Sequence, residues 1–276
     1  MNRKQLDPQS SPQAAFGSQL RTSREALGWS QDVLGEHMEY SGTYISAVET
    51  ARKSPTLKFA KSADAALGTG QTLELMWRGI KNSALLEGFP EHAAQEAKAA
   101  EIRIFEPIMI PGLLQTQEYA TALGSAAMQR GSVSQDQVDE RLRFLLTRQR
   151  LLRRSAPPLI HAVIAENCIR QPVGGAEIMG AQLDHLVVMS RRPHVIIQVA
   201  PFSLAEFVPF RAFVTLLTFA DRSVFGYTES AEEGNVVRHD ETVRAWERNY
   251  HQLQVEALSK AASLALIRKA RKELLS

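Results

Sequence analysis

The chain has 276 residues, of which 44% are hydrophobic and 22% are charged, and its formal net charge is +2. This composition is typical of a globular protein with two domains. The single cysteine, Cys168, excludes an intrachain disulfide and suits a cytoplasmic protein, and no apolar run approaches the roughly 20 residues of a membrane span.

The N-terminal third contains five short helical patterns that follow a polar arm. The arm, residues 1–12, carries two prolines and reads as flexible, without the apolar core of a signal peptide. Apolar residues spaced three and four apart then predict helices, which cover residues 13–27, 31–38, 42–50, 56–67 and 72–80. We therefore expect a mainly α-helical domain at residues 13–80, with a helical connector at residues 81–100.

The remainder of the chain, residues 101–276, mixes helical and β-rich patterns. Helices are predicted at 113–123, at 134–154, after Gly174-Gly175 to about 190, and at 240–275. Strands are predicted at 159–165, 195–199, 212–219 and 224–228. These elements predict an α+β domain with a small mixed or antiparallel sheet.

The segment from Leu27 to Glu49 is the most informative in the chain. Gly28 allows a left-handed end to the first helix, and Ser30 is an N-cap for the next. A further helix begins after Ser41, so two short helices join through a tight turn and can pack crosswise. Their predicted shared core consists of Val33, Leu34, Met38, Ile45 and Val48.

This segment resembles the lambda-repressor-like, XRE-type helix-turn-helix family. The matching residues are Arg24, Ser30, Gln31, Val33, Leu34, Met38, Ser41, Ile45, Ser46, Val48 and Glu49. The resemblance implies that the second motif helix enters the major groove of double-stranded DNA. It implies DNA contacts by Gln31, Ser41, Gly42, Thr43, Tyr44 and Ala47, and a buried pair between Arg24 and Glu49.

Two residues depart from the family pattern. Glu39 stands where the family usually has a turn glycine, and Gly35 stands where it usually has alanine. A left-handed glutamate costs about 1 kcal/mol, so a looser or differently shaped turn is expected. The recognition helix is also poor in Arg, Asn and Gln, so phosphate contacts and DNA shape are expected to carry more of the recognition.

Basic residues follow the recognition helix. Arg52, Lys53, Lys58 and Lys61 have no acidic residue among them, and Arg3 and Lys4 lie on the arm. Together with the motif, Arg52, Lys53 and Lys58 are predicted phosphate contacts. Alone, the same residues are equally compatible with an ordinary solvated surface.

The C-terminal region carries a second resemblance. It covers residues 95–272, and its most recognisable string is Ile110-Pro-Gly-Leu-Leu-Gln-Thr-Gln-Glu-Tyr-Ala120. Further matches are Arg148-Gln149, Glu166, Val173-Gly174-Gly175, Gln182-Leu183, Gln198-Val199 and Tyr227-Thr228-Glu229. These residues resemble the effector domain of an actinobacterial regulator family of the Scr1 or DUF5753 type. The resemblance implies association with a small DUF397-like protein in an arrangement similar to toxin–antitoxin pairs.

The predicted effector or partner residues are Gln115, Arg148, Glu166 and Tyr227. The structural alternatives are ordinary helix capping around Gln115 and a plain turn at Gly174-Gly175. Arginines at the end of the long helix, Arg148 among them, suit either an acidic partner or the helix dipole. The tail helix fits either a dimer seam or packing against the chain's own sheet.

The expected function is that of a sequence-specific, homodimeric transcriptional regulator with an effector-binding or partner-binding C-terminal domain. The alternative is an antitoxin-like protein-interaction module. The sequence predicts no enzyme activity, cofactor or metal site, because its histidines and carboxylates lack recognisable ligand or nucleophile spacing.

Overall fold

The computed structural model describes residues 7–8, 11–81, 85–86, 88–230 and 233–275. The chain divides into two compact units, Met1–Pro90 and Glu91–Ser276. Arg3 and Lys4 of the arm lie outside the described residues, as does part of the predicted connector.

The first unit is built from short helices, and hydroxyl side chains cap the first turns of the first four of them. The helices are α1 (Pro12–Ala26), α2 (Gln31–Met38), α3 (Gly42–Glu49), α4 (Leu57–Leu67) and α5 (Thr72–Lys81). Ser30 and Ser41 accept backbone N–H groups at the starts of α2 and α3, which satisfies donors that a helix start leaves unpaired. The core contains Phe16, Leu20, Leu34, Met38, Ile45, Val48, Phe59, Ala60, Ala63, Leu67 and Leu73.

One further helix, α6 (Phe89–Glu96), leads into the second unit. The second unit contains α7 (Gln117–Gln129), α8 (Gln135–Gln149), α9 (Asn167–Arg170), α10 (Ala176–Met189), α11 (Asp240–Glu256) and α12 (Lys260–Leu274). Its strands are β1 (Glu101–Glu106), β2 (Leu159–Ala165), β3 (Val195–Ala200), β4 (Val214–Thr218), β5 (Val224–Glu229) and β6 (Gly234–Val237). Short 3-10 turns lie at Gly112–Leu114, Arg150–Arg153 and Phe202–Phe207.

The strands form one six-stranded mixed sheet in the order β3-β2-β1-β4-β5-β6. β1, β2 and β3 are parallel, whereas β4, β5 and β6 continue antiparallel from β1. The predicted α+β class with a mixed sheet is therefore confirmed. β1 and β6 were not predicted.

Apolar side chains on both faces of the sheet are covered by helices. One cluster joins β1–β3 to α10 and α12, and a second joins the opposite face to α11. Val243, Tyr250 and Leu253 of α11 belong to that second cluster. The apolar stripe of the tail therefore packs on the chain's own sheet, which is one of the two interpretations that the sequence left open. Within the described ranges, no helix has the length and apolar character needed to cross a bilayer.

Candidate nucleic-acid interface and second-unit site

The turn between α2 and α3 is closed by two residues that depart from the resembled pattern. Glu39 has φ 59° and ψ 38°, the left-handed conformation that the sequence predicted. The Tyr40 N–H then donates to the Gly35 carbonyl oxygen over 2.9 Å. A Cβ atom on Gly35 would lie 2.4 Å from the Tyr40 carbonyl oxygen. The glycine within α2 therefore makes room for the turn that the glutamate forms, and the turn is tight rather than loose.

The start of α3 lies directly against the start of α2. A Cβ atom on Gly42 would lie 1.8 Å from Asp32 Oδ1 and 3.2 Å from the Asp32 Cα atom. A side chain at position 42 would therefore displace the Asp32 carboxylate and press on the α2 backbone, so Gly42 allows the two helix starts to pack closely. Its backbone remains partly exposed beside Thr43.

A buried ion-pair network fixes α3 to α1. Arg24 Nε donates to Glu49 Oε1 over 2.6 Å, and Arg24 Nη2 donates to Glu49 Oε2 over 3.0 Å. Gln31 Nε2 also donates to Glu49 Oε2, over 2.7 Å. The hydrogen bonds that Arg24 donates to Glu49 raise the pKa of Arg24. Gln31, a predicted phosphate contact, therefore helps to hold the end of α3, and it remains only half-buried.

The outward face of α3 presents small hydroxyl groups. Ser41 and Thr43 are exposed. The Tyr44 ring is half-buried and lies 5.4 Å from the Phe59 ring, centroid to centroid. Lys53 Nζ lies 4.3 Å from the Tyr44 ring centroid, a cation–π distance. Thr43 is thus open to a base edge, whereas Tyr44 shares its surface with the core.

The basic residues follow a second left-handed turn. Ala51 has φ 51°, and the N–H groups of Arg52 and Lys53 donate to the Ala47 carbonyl oxygen over 2.8 and 3.1 Å. Arg52, Lys53 and Lys58 are exposed. Ala47 is half-buried on the same helix. The structure therefore brings the predicted DNA-contacting residues onto, or next to, α3 and the starts of its neighbours.

In the second unit, Arg148 binds Glu96 through two hydrogen bonds. Arg148 Nε lies 2.9 Å from Glu96 Oε1, and Arg148 Nη2 lies 2.7 Å from Glu96 Oε2. Burial alone raises the pKa of Glu96, but the charge of Arg148 and hydrogen bonds from Arg148 and His92 outweigh it and lower that pKa to about 2. The carboxylate is therefore ionised in the folded unit, and it links α6 to α8.

Tyr227 continues this cluster towards the carboxyl end of β1. Its ring stacks on His92 with 3.9 Å between centroids, and its hydroxyl donates to Glu229 Oε1 over 3.0 Å. The buried carboxyl of Glu106 receives the Ile108 N–H over 3.1 Å. Burial, together with the charge of Glu229, raises the pKa of Glu106 to about 7, against the effect of its backbone hydrogen bonds. Charged groups thus gather at one edge of the sheet.

Gln115 and Glu166 occupy two further positions. Gln115 Nε2 donates to the Ile110 carbonyl oxygen over 2.7 Å, while Thr116 caps α7. Glu166 Oε1 accepts from Arg170, and its Oε2 accepts the Phe202 N–H over 2.9 Å. Ordinary capping around Gln115 is therefore what the structure shows, and Glu166 joins the ends of β2 and β3.

Two family models match the chain. A model described as a helix-turn-helix domain matches residues 15–75, and a model described as a domain of unknown function (DUF5753) matches residues 89–269. Because the second match covers more than half of the chain, it decides the family. The chain belongs to the DUF5753 family. Neither the curated proteins nor the solved structures provided a match.

The two matches confirm the predicted architecture of a helix-turn-helix domain followed by a DUF5753 domain, and they support the role of a DNA-binding regulator. The DUF5753 match begins at the first residue of α6, Phe89. This start agrees with the burial of His92 and Glu96, which are 1% and 2% exposed. Helix α6 is therefore part of the DUF5753 fold.

Within the DUF5753 domain, the structure brings together only part of the predicted effector set. Arg148 and Tyr227 share one cluster, whereas Glu166 belongs to the β2–β3 edge. Sequence reasoning missed Glu96, because its partner Arg148 is distant in the sequence. It also missed Glu106, because that carboxyl is bound by backbone N–H groups, which leave no pattern of side chains.

Cys168 is buried, and burial raises the pKa of its thiol to about 12. Among the described residues, no group of three His, Cys, Asp or Glu side chains could hold a metal ion.

Proposed function

We propose that the protein is a sequence-specific transcriptional regulator that inserts α3 into the major groove of its operator. The observation that carries the proposal is the fixed α2–α3 pair. Its turn is closed at Glu39, its end is held by Glu49, and its exposed face carries Thr43. A rigid helix pair with an exposed N-terminal face is the arrangement by which such motifs read base edges.

The test is selection of binding sites from a pool of random DNA duplexes with the full chain. A consensus is expected, and Thr43→Ala is expected to weaken binding to it by about 1 kcal/mol. Thr22→Ala provides a matched control, because Thr22 is exposed and lies on α1, outside the α2–α3 pair. If the chain retains no consensus, or if Thr43→Ala and Thr22→Ala behave alike, base reading by α3 is wrong.

We further propose that the regulator acts as a homodimer. One motif contacts few base pairs, and twofold dimers on palindromic sites are the usual solution. The selected consensus should then contain two inverted half-sites spaced by about one helical turn or a multiple of it. Sedimentation of the protein–duplex complex should give two chains per duplex. A single chain on an asymmetric site would contradict this proposal.

The DUF5753 domain is proposed to receive a small-molecule effector or a small protein partner that changes DNA affinity. Its cluster of perturbed ionisable groups at a sheet edge supports a functional site there. The test adds extract of the source cells, separated by ultrafiltration, to the complex of the chain with its selected duplex. A change caused by the filtrate indicates an effector, and one caused by the retentate indicates the antitoxin-like alternative. If neither fraction changes the affinity, this role is contradicted.

A further inference from the structure

Arginine side chains of the second unit gather at the amino ends of its three parallel strands. Arg192 Nη1 donates to the Leu152 carbonyl oxygen over 3.1 Å, which places the end of α10 beside the turn Arg150–Arg153. Arg154 Nη1 donates to the Ala97 carbonyl oxygen over 2.6 Å, which brings in the segment before β1. We call this surface the arginine edge, and it comprises Lys98, Arg150, Arg153, Arg154, Arg191 and Arg192.

Few negative charges oppose the arginine edge. The chain has no acidic residue between Glu140 and Glu166, or between Asp184 and Glu206. Glu101, the first residue of β1, is half-buried close by. Among the described residues, Arg150, Arg153 and Arg191 make no ion pair and are exposed. Since like charges repel, their concentration here raises the free energy of the unit unless an anion neutralises them.

The chemistry of the arginine edge favours a phosphate backbone over a protein surface. Protein interfaces have apolar, aromatic-rich cores, whereas the apolar residues within this turn, Leu151 and Leu152, are buried. Protein–DNA interfaces are polar and strongly positive. Guanidinium groups also bind phosphate oxygens in a bidentate manner.

We propose that the arginine edge binds the phosphates of double-stranded DNA independently of base sequence. This inference rests on the proposed DNA-binding function and extends it to the second unit. The contribution is needed because α3 offers few base-reading side chains and residues 1–80 contain nine basic and eight acidic residues. Contacts that release counterions add affinity without adding sequence preference.

The test measures binding of the full chain to a mixed-sequence duplex over a series of salt concentrations. The variant is Arg150→Gln/Arg153→Gln/Arg191→Gln, whose side chains have no ion-pair partner to lose. The matched control is Arg130→Gln/Arg248→Gln/Arg268→Gln, with the same change in charge at three other exposed arginines. The slope of log K against log salt is expected to fall by about 2 to 3 units in the variant, at about 0.9 per phosphate, and to remain unchanged in the control.

Unequal outcomes separate this inference from base reading by α3. If the slope of log K against log salt falls in the arginine-edge variant but site selection yields no consensus, phosphate binding by the arginine edge is supported and base reading by α3 is contradicted. If Arg52→Gln/Lys53→Gln lowers this slope while the arginine-edge variant does not, phosphate binding by the arginine edge is contradicted and DNA binding by the first unit is not. Absence of binding to the mixed-sequence duplex at low salt also overturns it. So does a variant that loses binding to poly-L-glutamate but keeps the full DNA slope, because the edge would then be a site for an acidic protein.

Discussion

Arg24 on α1 and Glu49 at the end of α3 form a buried ion pair with two hydrogen bonds, and their side chains are 8% and 0% exposed. The same guanidinium also donates to the Trp29 carbonyl oxygen over 2.6 Å. One arginine therefore sets the position of the recognition helix and of the loop that precedes α2.

Removal of one partner of this pair should destabilise the first unit. Glu49→Ala leaves the Arg24 charge buried without its carboxylate, which is expected to cost about 3 kcal/mol. Urea unfolding followed by circular dichroism measures the loss. Glu25→Ala, which removes an exposed carboxylate 3.4 Å from the same arginine, is the control and should cost under about 1 kcal/mol. Equal losses for the two variants would contradict the role assigned to Glu49.

The left-handed conformation of Glu39 in the α2–α3 turn predicts that glycine at this position stabilises the protein. Glu39→Gly removes the steric cost of φ 59° at a position that already has this conformation, so the free energy of unfolding should rise by about 0.5 to 1 kcal/mol. Glu36→Gly, at an exposed helical position of α2, should lower it by about 1 kcal/mol. Thermal unfolding of both variants measures the difference, and a loss on Glu39→Gly would show that its side chain contributes more than the strain costs.

The close approach at Gly35 predicts that an otherwise helix-favouring substitution is harmful. Gly35→Ala adds a Cβ atom that meets backbone 2.4 Å away, so the turn must shift, at a cost of about 1 to 3 kcal/mol. Gly79→Ala, on α5, meets nothing within 4 Å and should instead stabilise by up to about 1 kcal/mol. Chemical denaturation of the full chain measures both. Opposite signs are expected, and matching signs would contradict the packing described at the turn.

The raised pKa of Glu106 predicts that the free energy of unfolding falls as the pH rises. Burial raises its pKa to about 7, against about 4.5 when unfolded, so between these values the unfolded chain releases a proton that the folded chain retains. Ionisation of this buried carboxyl therefore lowers the free energy of unfolding progressively from about pH 4.5 to pH 7, by an amount on the order of 3 kcal/mol. Glu106→Gln removes this dependence and should stabilise the protein at pH 8 but not at pH 4.

Glu96 provides the opposite pH dependence and serves as the control for Glu106. Its pKa is lowered to about 2 beside Arg148, so its contribution is present above about pH 4.5 and is lost as the pH falls towards 2. Glu96→Gln should thus destabilise the protein at pH 8, where Glu106→Gln stabilises it. Melting temperatures measured across pH distinguish the two. The same sign for both variants at pH 8 would show that the groups are not separately tuned.

Local signals in the sequence predicted much of the first unit. Hydroxyl caps at Ser30 and Ser41 and the left-handed Gly28 act within a few residues, so the pattern alone locates the helix ends. Glu39 was correctly placed in a left-handed turn. Of the two expected departures, a looser turn or a differently shaped one, the structure does not show the looser turn. The compensation comes from Gly35, whose contact with Tyr40 depends on three-dimensional closure.

In the second unit, the sequence failed where tertiary contacts override local pattern. Strand β1 carries Glu101 and Arg103, which reduce its resemblance to a buried strand. Arg103 is accommodated by a 2.8 Å ion pair with Glu247, far along the chain. The pairing of Glu96 with Arg148 likewise spans 52 residues. The spacing of apolar residues carries no information about partners that are so far apart in the sequence, so the cluster around Arg148 could be identified only from the fold.

The packing of α6 on the second unit determines where an expressed C-terminal fragment should begin. A fragment that starts at residue 101 would keep all six strands but lack Glu96 and His92. The Arg148 guanidinium would lose the carboxylate that it binds through two hydrogen bonds, and the Tyr227 ring would lose the imidazole stacked on it. Expression of the C-terminal half as an independent protein should therefore begin no later than Phe89.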